Sequence, residues 1–386
     1  MLIAPDGSPF VSLGVTHLGA IPEEGDGFAQ LGGSRRLFAE RVIADLRELG
    51  FNTAGYHHTA EFRELMPFIA DTFLAWIPYF DPHPRYFDVF SQGFIAGMRR
   101  QIGQMCSAAK ANPNLIGYYW TDTPRWDLDN ARRMVGDDWV SAIRGLPAAY
   151  AGKQHYVSFL CKRYRGQRRD FQSAYGVELE EAALLVSDFS QLALADPRVH
   201  RDDYEFLRLI ARQYYKVAGE MMEREDRRHL VFGDRYLLAD LPTEVLEEAL
   251  QWIDVVAVQP CHARFERDAF DRVYRIARKP ILICDHAISF PDALNRQTAW
   301  EQRGTEAEAA LAYRDYLAEA FARPYVVGYH RCHYFDRFAA THGLLMQGLR
   351  AENGTPHQVL TDVVRRANVQ VRRELMASSA QASPAD

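Results

Sequence analysis

The feature that most constrains this chain is an alternation of short apolar runs with stretches of helical periodicity, the pattern of repeated βα units that builds a parallel sheet. Eight such runs can be counted: Phe10 to Val15, Phe51 to Tyr56, Phe73 to Tyr79, Leu115 to Trp120, Leu230 to Asp234, Val255 to Gln259, Pro280 to Asp285 and Tyr325 to His330. Between them lie amphipathic segments such as Arg36 to Leu49, where Leu37, Val42, Leu46 and Leu49 recur at helical spacing, and Thr305 to Ala322. Eight parallel strands close a barrel, so the expected fold class is α/β, a single (β/α)8 TIM barrel spanning residues 1–375. The competing architecture is an open doubly wound sheet. It wants a glycine-rich phosphate loop between strand and helix, and Gly32-Gly33 is not one.

Two connections depart from the minimal unit. The stretch from Thr121 to His229 is too long for one loop and one helix. It reads as a helical insertion after strand four, about residues 124–228, that includes Lys153 to Tyr164 and Tyr204 to Glu225. The third loop, Phe80 to Phe94, is rich in Pro and aromatics and is expected to fold over the barrel mouth. Past Met376 the chain turns to Ala, Ser, Gln and Pro, which suggests a flexible tail, residues 376–386.

Bulk properties narrow the function. At 386 residues, 48% hydrophobic and 25% charged, the composition is that of a globular enzyme rather than a disordered or fibrous chain. A net charge of -6 argues against nucleic acid and anionic membranes as partners. No basic-then-apolar leader opens the sequence and no apolar run is long enough to span a bilayer. The expected location is the cytoplasm, or the periplasm or exterior if a signal peptide has been removed. Five scattered cysteines (Cys106, Cys161, Cys261, Cys284 and Cys332) fit free thiols better than a disulfide framework.

In an α/β barrel the active site lies at the C-terminal ends of the strands. Strand two ends in Tyr56-His57-His58, strand three in Tyr79-Phe80-Asp81, and strand four in Trp120-Thr121-Asp122-Thr123-Pro124-Arg125-Trp126. Strand five ends in Asp234-Arg235-Tyr236, strand six in Gln259-Pro260-Cys261-His262, strand seven in Asp285-His286, and strand eight in His330-Arg331-Cys332-His333. Carboxylates, imidazoles and flat rings around one opening suit a sugar, whose hydroxyls want polar partners and whose faces stack on aromatics.

Several of these segments carry a resemblance. Leu115-Ile-Gly-Tyr-Tyr-Trp-Thr-Asp-Thr-Pro-Arg-Trp126 resembles the fourth-strand segment of β-agarases, β-galactosidases and relatives in glycoside hydrolase clan A, which reads Gly-Tyr-Phe-x-Asp-Asn-Glu followed by a tryptophan. Phe87-Asp-Val-Phe90 is similar to that family's third-loop motif. The stretch Gly152 to Leu160, with Tyr164 and Tyr175-Gly176, is similar to its helical insertion. Trp252 to Val258, Lys279 to Ile283, and Val327-Gly-Tyr-His330 with Tyr334 and Asp336 are similar to its sixth, seventh and eighth strands. Together these cover Phe10 to Asn368.

The resemblance implies a glycosidase with a carboxylic acid closing strand four as acid/base and a carboxylate closing strand seven as nucleophile, about 5 Å apart. Carried over, the nucleophile position falls on Asp285, the acid/base position on Thr123, and the preceding sugar-binding position on Asp122. The expected catalytic pair is therefore Asp285 and Asp122, either inverting across a wider gap or atypically retaining. Where relatives place a subsite tryptophan, this chain has Arg331, which either invites an acidic or sulfated marine-type galactan or pairs internally. Expected substrate contacts are His57, His58, Asp81, Trp120, Trp126, Asp234, Arg235, Gln259, His286, His330 and Arg331.

The bland readings stand beside these. His57 and His58 are equally a rim hydrogen-bonding pair, and tryptophans near a barrel end are often core. Cys261, His262, His286, Cys332 and His333 gather on consecutive strand ends, but no compact ligand spacing supports a metal, so neither metal nor cofactor is expected. The expected function is hydrolysis of a glycosidic bond in an oligo- or polysaccharide. The alternatives are a sugar-binding barrel without turnover and a metal-assisted hydrolase. A homo-oligomer stays open.

Overall fold

The structure is a computed structural model. It describes residues 1–19, 29, 31–77, 81, 83–189, 196–292, 298, 301–339 and 343–382. Eight parallel strands form a closed barrel: β1 (Ser12–Val15), β2 (Thr53–Ala54), β3 (Phe68–Asp71), β4 (Leu115–Asp122), β5 (Leu230–Leu237), β6 (Val256–Gln259), β7 (Ile281–His286) and β8 (Val326–Arg331), with β8 pairing back onto β1. A short antiparallel hairpin, Leu2–Ile3 with Pro9–Phe10, precedes β1 and brings Leu2 against the barrel interior.

Alternation along the strands divides the apolar residues into two cores. The interior holds Tyr56, Ile69, Tyr119, Phe232, Ala257, Leu282, Cys284 and Val327. The larger core fills the layer between the strands and the surrounding helices, such as Arg35–Glu48, Gln92–Ala109, Arg267–Ala277 and Glu306–Phe321. Helix starts follow their capping chemistry: the Ser34, Ser91 and Thr305 hydroxyls each accept from a backbone N–H in the first turn.

The insertion after β4 is helical as expected, with Leu128–Val135, Trp139–Arg144, Ala151–Arg163, Arg168–Tyr175, Glu181–Val186 and the long Pro197–Glu225. One strand differs from the sequence reading. The third strand is Phe68–Asp71, not Phe73 to Tyr79. The later apolar run supplies Leu74, Ala75 and Ile77 to the outer core and leaves Trp76 exposed. Pro78, Tyr79 and Phe80 lie outside the described residues. The last helix, Gln358–Ala382, runs past Met376, where a flexible tail was expected to begin. None of the described helices is long and apolar enough to cross a membrane.

Irregular pairing near the strand ends decides what faces the opening. Ile283 to His286 of β7 opposes only Tyr329 to Arg331 of β8, and Tyr119 to Asp122 of β4 opposes Gly233 to Arg235 of β5. Each mismatch is a bulge, and a bulge resets which neighbours share a face. Gly233 takes φ +68, a conformation that side-chain-bearing residues resist. Beyond it, Asp234 points into the outer layer while Arg235 points into the barrel.

Candidate active site

Around the opening the side chains form two linked groups. The first is a row of charge. Arg235, only 1% exposed, places one terminal nitrogen 2.6 Å from Asp122 Oδ1 and the other 3.5 Å from Asp285 Oδ2. Its guanidinium lies over the Tyr56 ring, 3.1 Å from the centroid, so a permanent cation is held between an aromatic face and two carboxylates. Gln259 donates to Asp122 Oδ1 at 2.7 Å, and Tyr56 reaches Asp122 Oδ2 at 3.4 Å. Asp285 accepts from the Thr16 hydroxyl at 3.1 Å. Burial works against ionising Asp285, but His17, Arg235 and Cys332 outweigh it and hold the carboxyl well below the usual range.

The second group is made of imidazoles. His17 Nε2 is 3.7 Å from Asp285 Oδ2, and its Nδ1 is 3.1 Å from His57 Nδ1. The His17 ring stacks on His333 with centroids 4.2 Å apart, and His57 stacks on Tyr56 at 3.9 Å. Packing of its ring against Tyr56, together with the neighbouring His17, lowers the His57 pKa, although the residue keeps an exposed edge at the opening. His17, His57 and His333 all have positive φ, at 55°, 56° and 63°, and Thr123 and Arg125 do so at the end of β4. Such conformations cost about 1–3 kcal/mol per residue and persist where the surrounding structure holds them. Beside the histidines, Phe73 packs edge-on beneath the exposed Trp76 and lies 5.8 Å from the His57 ring, which extends an aromatic floor outward.

Of the residues picked from sequence, the structure brings together Asp285, Asp122, Arg235, Gln259 and His57. His330 lies just below them inside the barrel, with Nε2 2.8 Å from the Ser12 hydroxyl. Gly14 makes room for that ring, since a Cβ there would sit 2.6 Å from His330 Cδ2.

The others turn elsewhere. Trp120 and Trp126 are buried in the outer core, Trp126 stacked on Trp139 at 4.6 Å. Asp234 accepts from Tyr214, Tyr215 and Trp126 at 3.0, 2.7 and 3.4 Å in that same layer, and burial pushes its carboxyl up to about 7. His286 stacks on Tyr316 and bonds Tyr329 and the His262 carbonyl. His58 bonds the Gly55 carbonyl and Arg63. Arg331 is fully buried, donates to the Gln347 carbonyl at 2.6 Å and faces Tyr313, so no subsite cation stands there. Asp81 lies ten residues past the end of β3, where it accepts from the His83 N–H within its own loop. Asp234 and His286 lie where bulges shift the alternation, whereas Trp120 faces outward by plain alternation from Tyr119 and Trp126 lies beyond the end of β4.

Sequence reasoning did not name Thr16 or His17, and named Tyr56 only as a strand end. The rule that selected the other strand ends points to Thr16 and His17 as soon as it is applied to β1, which ends at Val15.

No family model matches the chain, and no curated protein does. Solved structures do. An exo-β-agarase superposes with a TM-score of 0.75 at 20% identity, over 88% of this chain and 47% of that one. Another agarase gives 0.75 at 18%, over 89% and 51%. A β-galactosidase from the psychrophilic Marinomonas ef1 gives 0.62 at 10%, over 96% and 61%. The chain thus spans about half the length of the agarases it matches. At such identities the likeness is one of fold, and that fold is the closed (β/α)8 barrel on which these glycoside hydrolases are built.

Proposed function

We propose that the chain hydrolyses a glycosidic bond at this opening, with Asp285 as the carboxylate that acts at the anomeric carbon, either directly or through a water. The observation that carries this reading is the setting of Asp285: it closes β7, is kept ionised by its cationic and hydrogen-bonding neighbours, and stands at an opening whose outer rim carries the exposed Trp76 edge-on to Phe73. An exposed ring and an anionic group at one opening suit a sugar, which can stack on the ring while its anomeric centre meets the carboxylate.

Asp122 is the partner carboxylate. Its ion pair with Arg235 and its bond from Gln259 tie it to the opposite wall, so proton donation from it requires the substrate to loosen that pair. Arg235 already faces two carboxylates, and Arg331 faces away. The substrate best supported is therefore a neutral galactan rather than a uronate or sulfated chain.

One observation favours a second reading. Thr123 occupies the place of a proton donor at the end of β4 and is strained at φ +40, which suits a barrel that binds sugar without turnover. A panel of neutral and acidic oligosaccharides decides between them. Hydrolysis of the neutral chains, lost in both Asp285→Asn and Asp122→Asn, supports the enzyme. Binding that persists with no product in the native chain supports the lectin-like reading, and preference for acidic chains removes the argument from Arg235.

A further inference from the structure

The imidazole group has a composition that sugar hydrolysis does not call for. The register of β8 on β1 pairs Arg331 with Val15, and the Thr16 N–H donates to the Arg331 carbonyl at 2.9 Å. Continuing that register past the strand ends sets Cys332-His333 beside Thr16-His17. The ligand-capable atoms of His17, Cys332 and His333 consequently lie within 4.8 Å of one another. Cys332 also neighbours Asp285 and Thr16, and receives the Gln347 amide at 3.3 Å.

We propose that His17, His333 and the thiolate of Cys332 bind a divalent transition metal of the zinc type, with a coordination position left toward the barrel opening and Asp285 at its edge. This goes beyond the glycosidase reading and does not depend on it. Three lines of observation converge.

The donor set comes first. Two imidazoles and one thiolate match the borderline-soft character of zinc, and three protein ligands with one open position are the pattern of reactive rather than structural zinc sites. Tetrahedral coordination at about 2.0–2.3 Å brings donor atoms to roughly 3.5 Å from each other, so closing the cluster on an ion takes movements on the order of 1 Å together with a turn of one imidazole out of the His17–His333 stack, because each ring binds a metal in its own plane.

Orientation is the second line. His17 turns one ring nitrogen toward Asp285 and the other onto His57 Nδ1 at 3.1 Å. A hydrogen-bonded far nitrogen is what fixes the tautomer and ring direction of a metal-binding histidine. His57 is thus a positioning residue, held flat on Tyr56. The third line is backbone cost: the two ligand histidines and the histidine that positions one of them are all held at positive φ, as Thr123 and Arg125 are at the end of β4. Strain of this kind persists where the surrounding structure needs those side chains in those directions.

The test is a cobalt titration of the full-length, metal-stripped chain. Expected is one equivalent of Co(II) giving visible d–d bands and a near-ultraviolet thiolate-to-cobalt band, both displaced by Zn(II). Cys332→Ser removes the thiolate band, and His17→Gln and His333→Gln each weaken binding by at least about ten-fold. Because Cys332 is buried, the His17 variant, at a 14% exposed side chain, guards against loss by misfolding. Cys261→Ser, at an exposed cysteine beside His262, leaves the spectrum unchanged. Absence of stoichiometric binding overturns the proposal. So does a thiolate band that survives Cys332→Ser or vanishes with Cys261→Ser.

Discussion

Two sides of the same barrel end carry nearly the same residue types and do opposite things with them. On the side where β4 and β5 meet the helical insertion, Asp234 is fully enclosed by Tyr214, Tyr215 and Trp126. Nearby, Asp203 is paired with Arg132 at 2.7 Å and with Arg144. Both oxygens of Asp234 and of Asp203 are bonded there, and the Trp126 ring is stacked on Trp139. On the side where β7, β8, β1 and β2 end, Asp285 keeps 11% exposure and the histidines are strained. Trp76, at the outer end of the aromatic floor, is 46% exposed. An acidic and aromatic strand end therefore does not by itself mark a site. What separates the two sides is whether the polar groups are satisfied inward or aimed at the opening.

Breaking the enclosed side should cost stability rather than chemistry. Asp203→Ala leaves the Arg144 guanidinium buried without its carboxylate and is expected to lower unfolding free energy by about 3–5 kcal/mol, read from urea unfolding. The Michaelis constant of the surviving folded fraction should not change. If binding shifts with no loss of stability, the division between the two sides is wrong.

The next effect is a pH slope. Asp234 sits at about 7 in the folded chain against roughly 4 when unfolded, so the folded state holds its proton more tightly. Its contribution is fully present below about pH 4 and is lost as pH rises toward 7. Native stability should thus fall by up to a few kcal/mol between pH 5 and 8, and Asp234→Asn should flatten that slope. A slope that Asp234→Asn leaves intact contradicts the assignment.

The smallest expected effect is on the open side. Trp76→Ala removes an exposed ring over Phe73 and should raise the Michaelis constant by roughly three- to ten-fold, about 1 kcal/mol, with melting temperature unchanged. Equal loss of stability and binding would make Trp76 an ordinary packing residue.

Much of the fold was legible because alternating βα periodicity extends over the whole chain, and the β4 insertion announced itself by length alone. The third strand was not. Pro67 precedes a run of only four strand residues, Phe68 to Asp71, whereas the more apolar Phe73 to Ile77 is hydrophobic because Leu74, Ala75 and Ile77 pack into the outer core. That Asp285, Asp122, Arg235, Gln259 and His57 meet at one opening was readable from strand ends. Asp234, His286 and Arg331 were misread for one physical reason. Bulges in β4, β5, β7 and β8 change which residues point inward, and a bulge leaves little trace in side-chain pattern beyond a glycine such as Gly233. Strand ends therefore give a list of candidates, and register chooses among them.

The central claim is that the open side acts through the Asp285 carboxylate. It is tested most directly by comparing native chain and Asp285→Asn on one neutral galacto-oligosaccharide, with turnover followed by product release and affinity by calorimetry. The account predicts a fall in turnover of at least about a thousand-fold, about 4 kcal/mol in the barrier, with affinity and melting temperature nearly unchanged. Turnover within a few-fold of native in Asp285→Asn would contradict it.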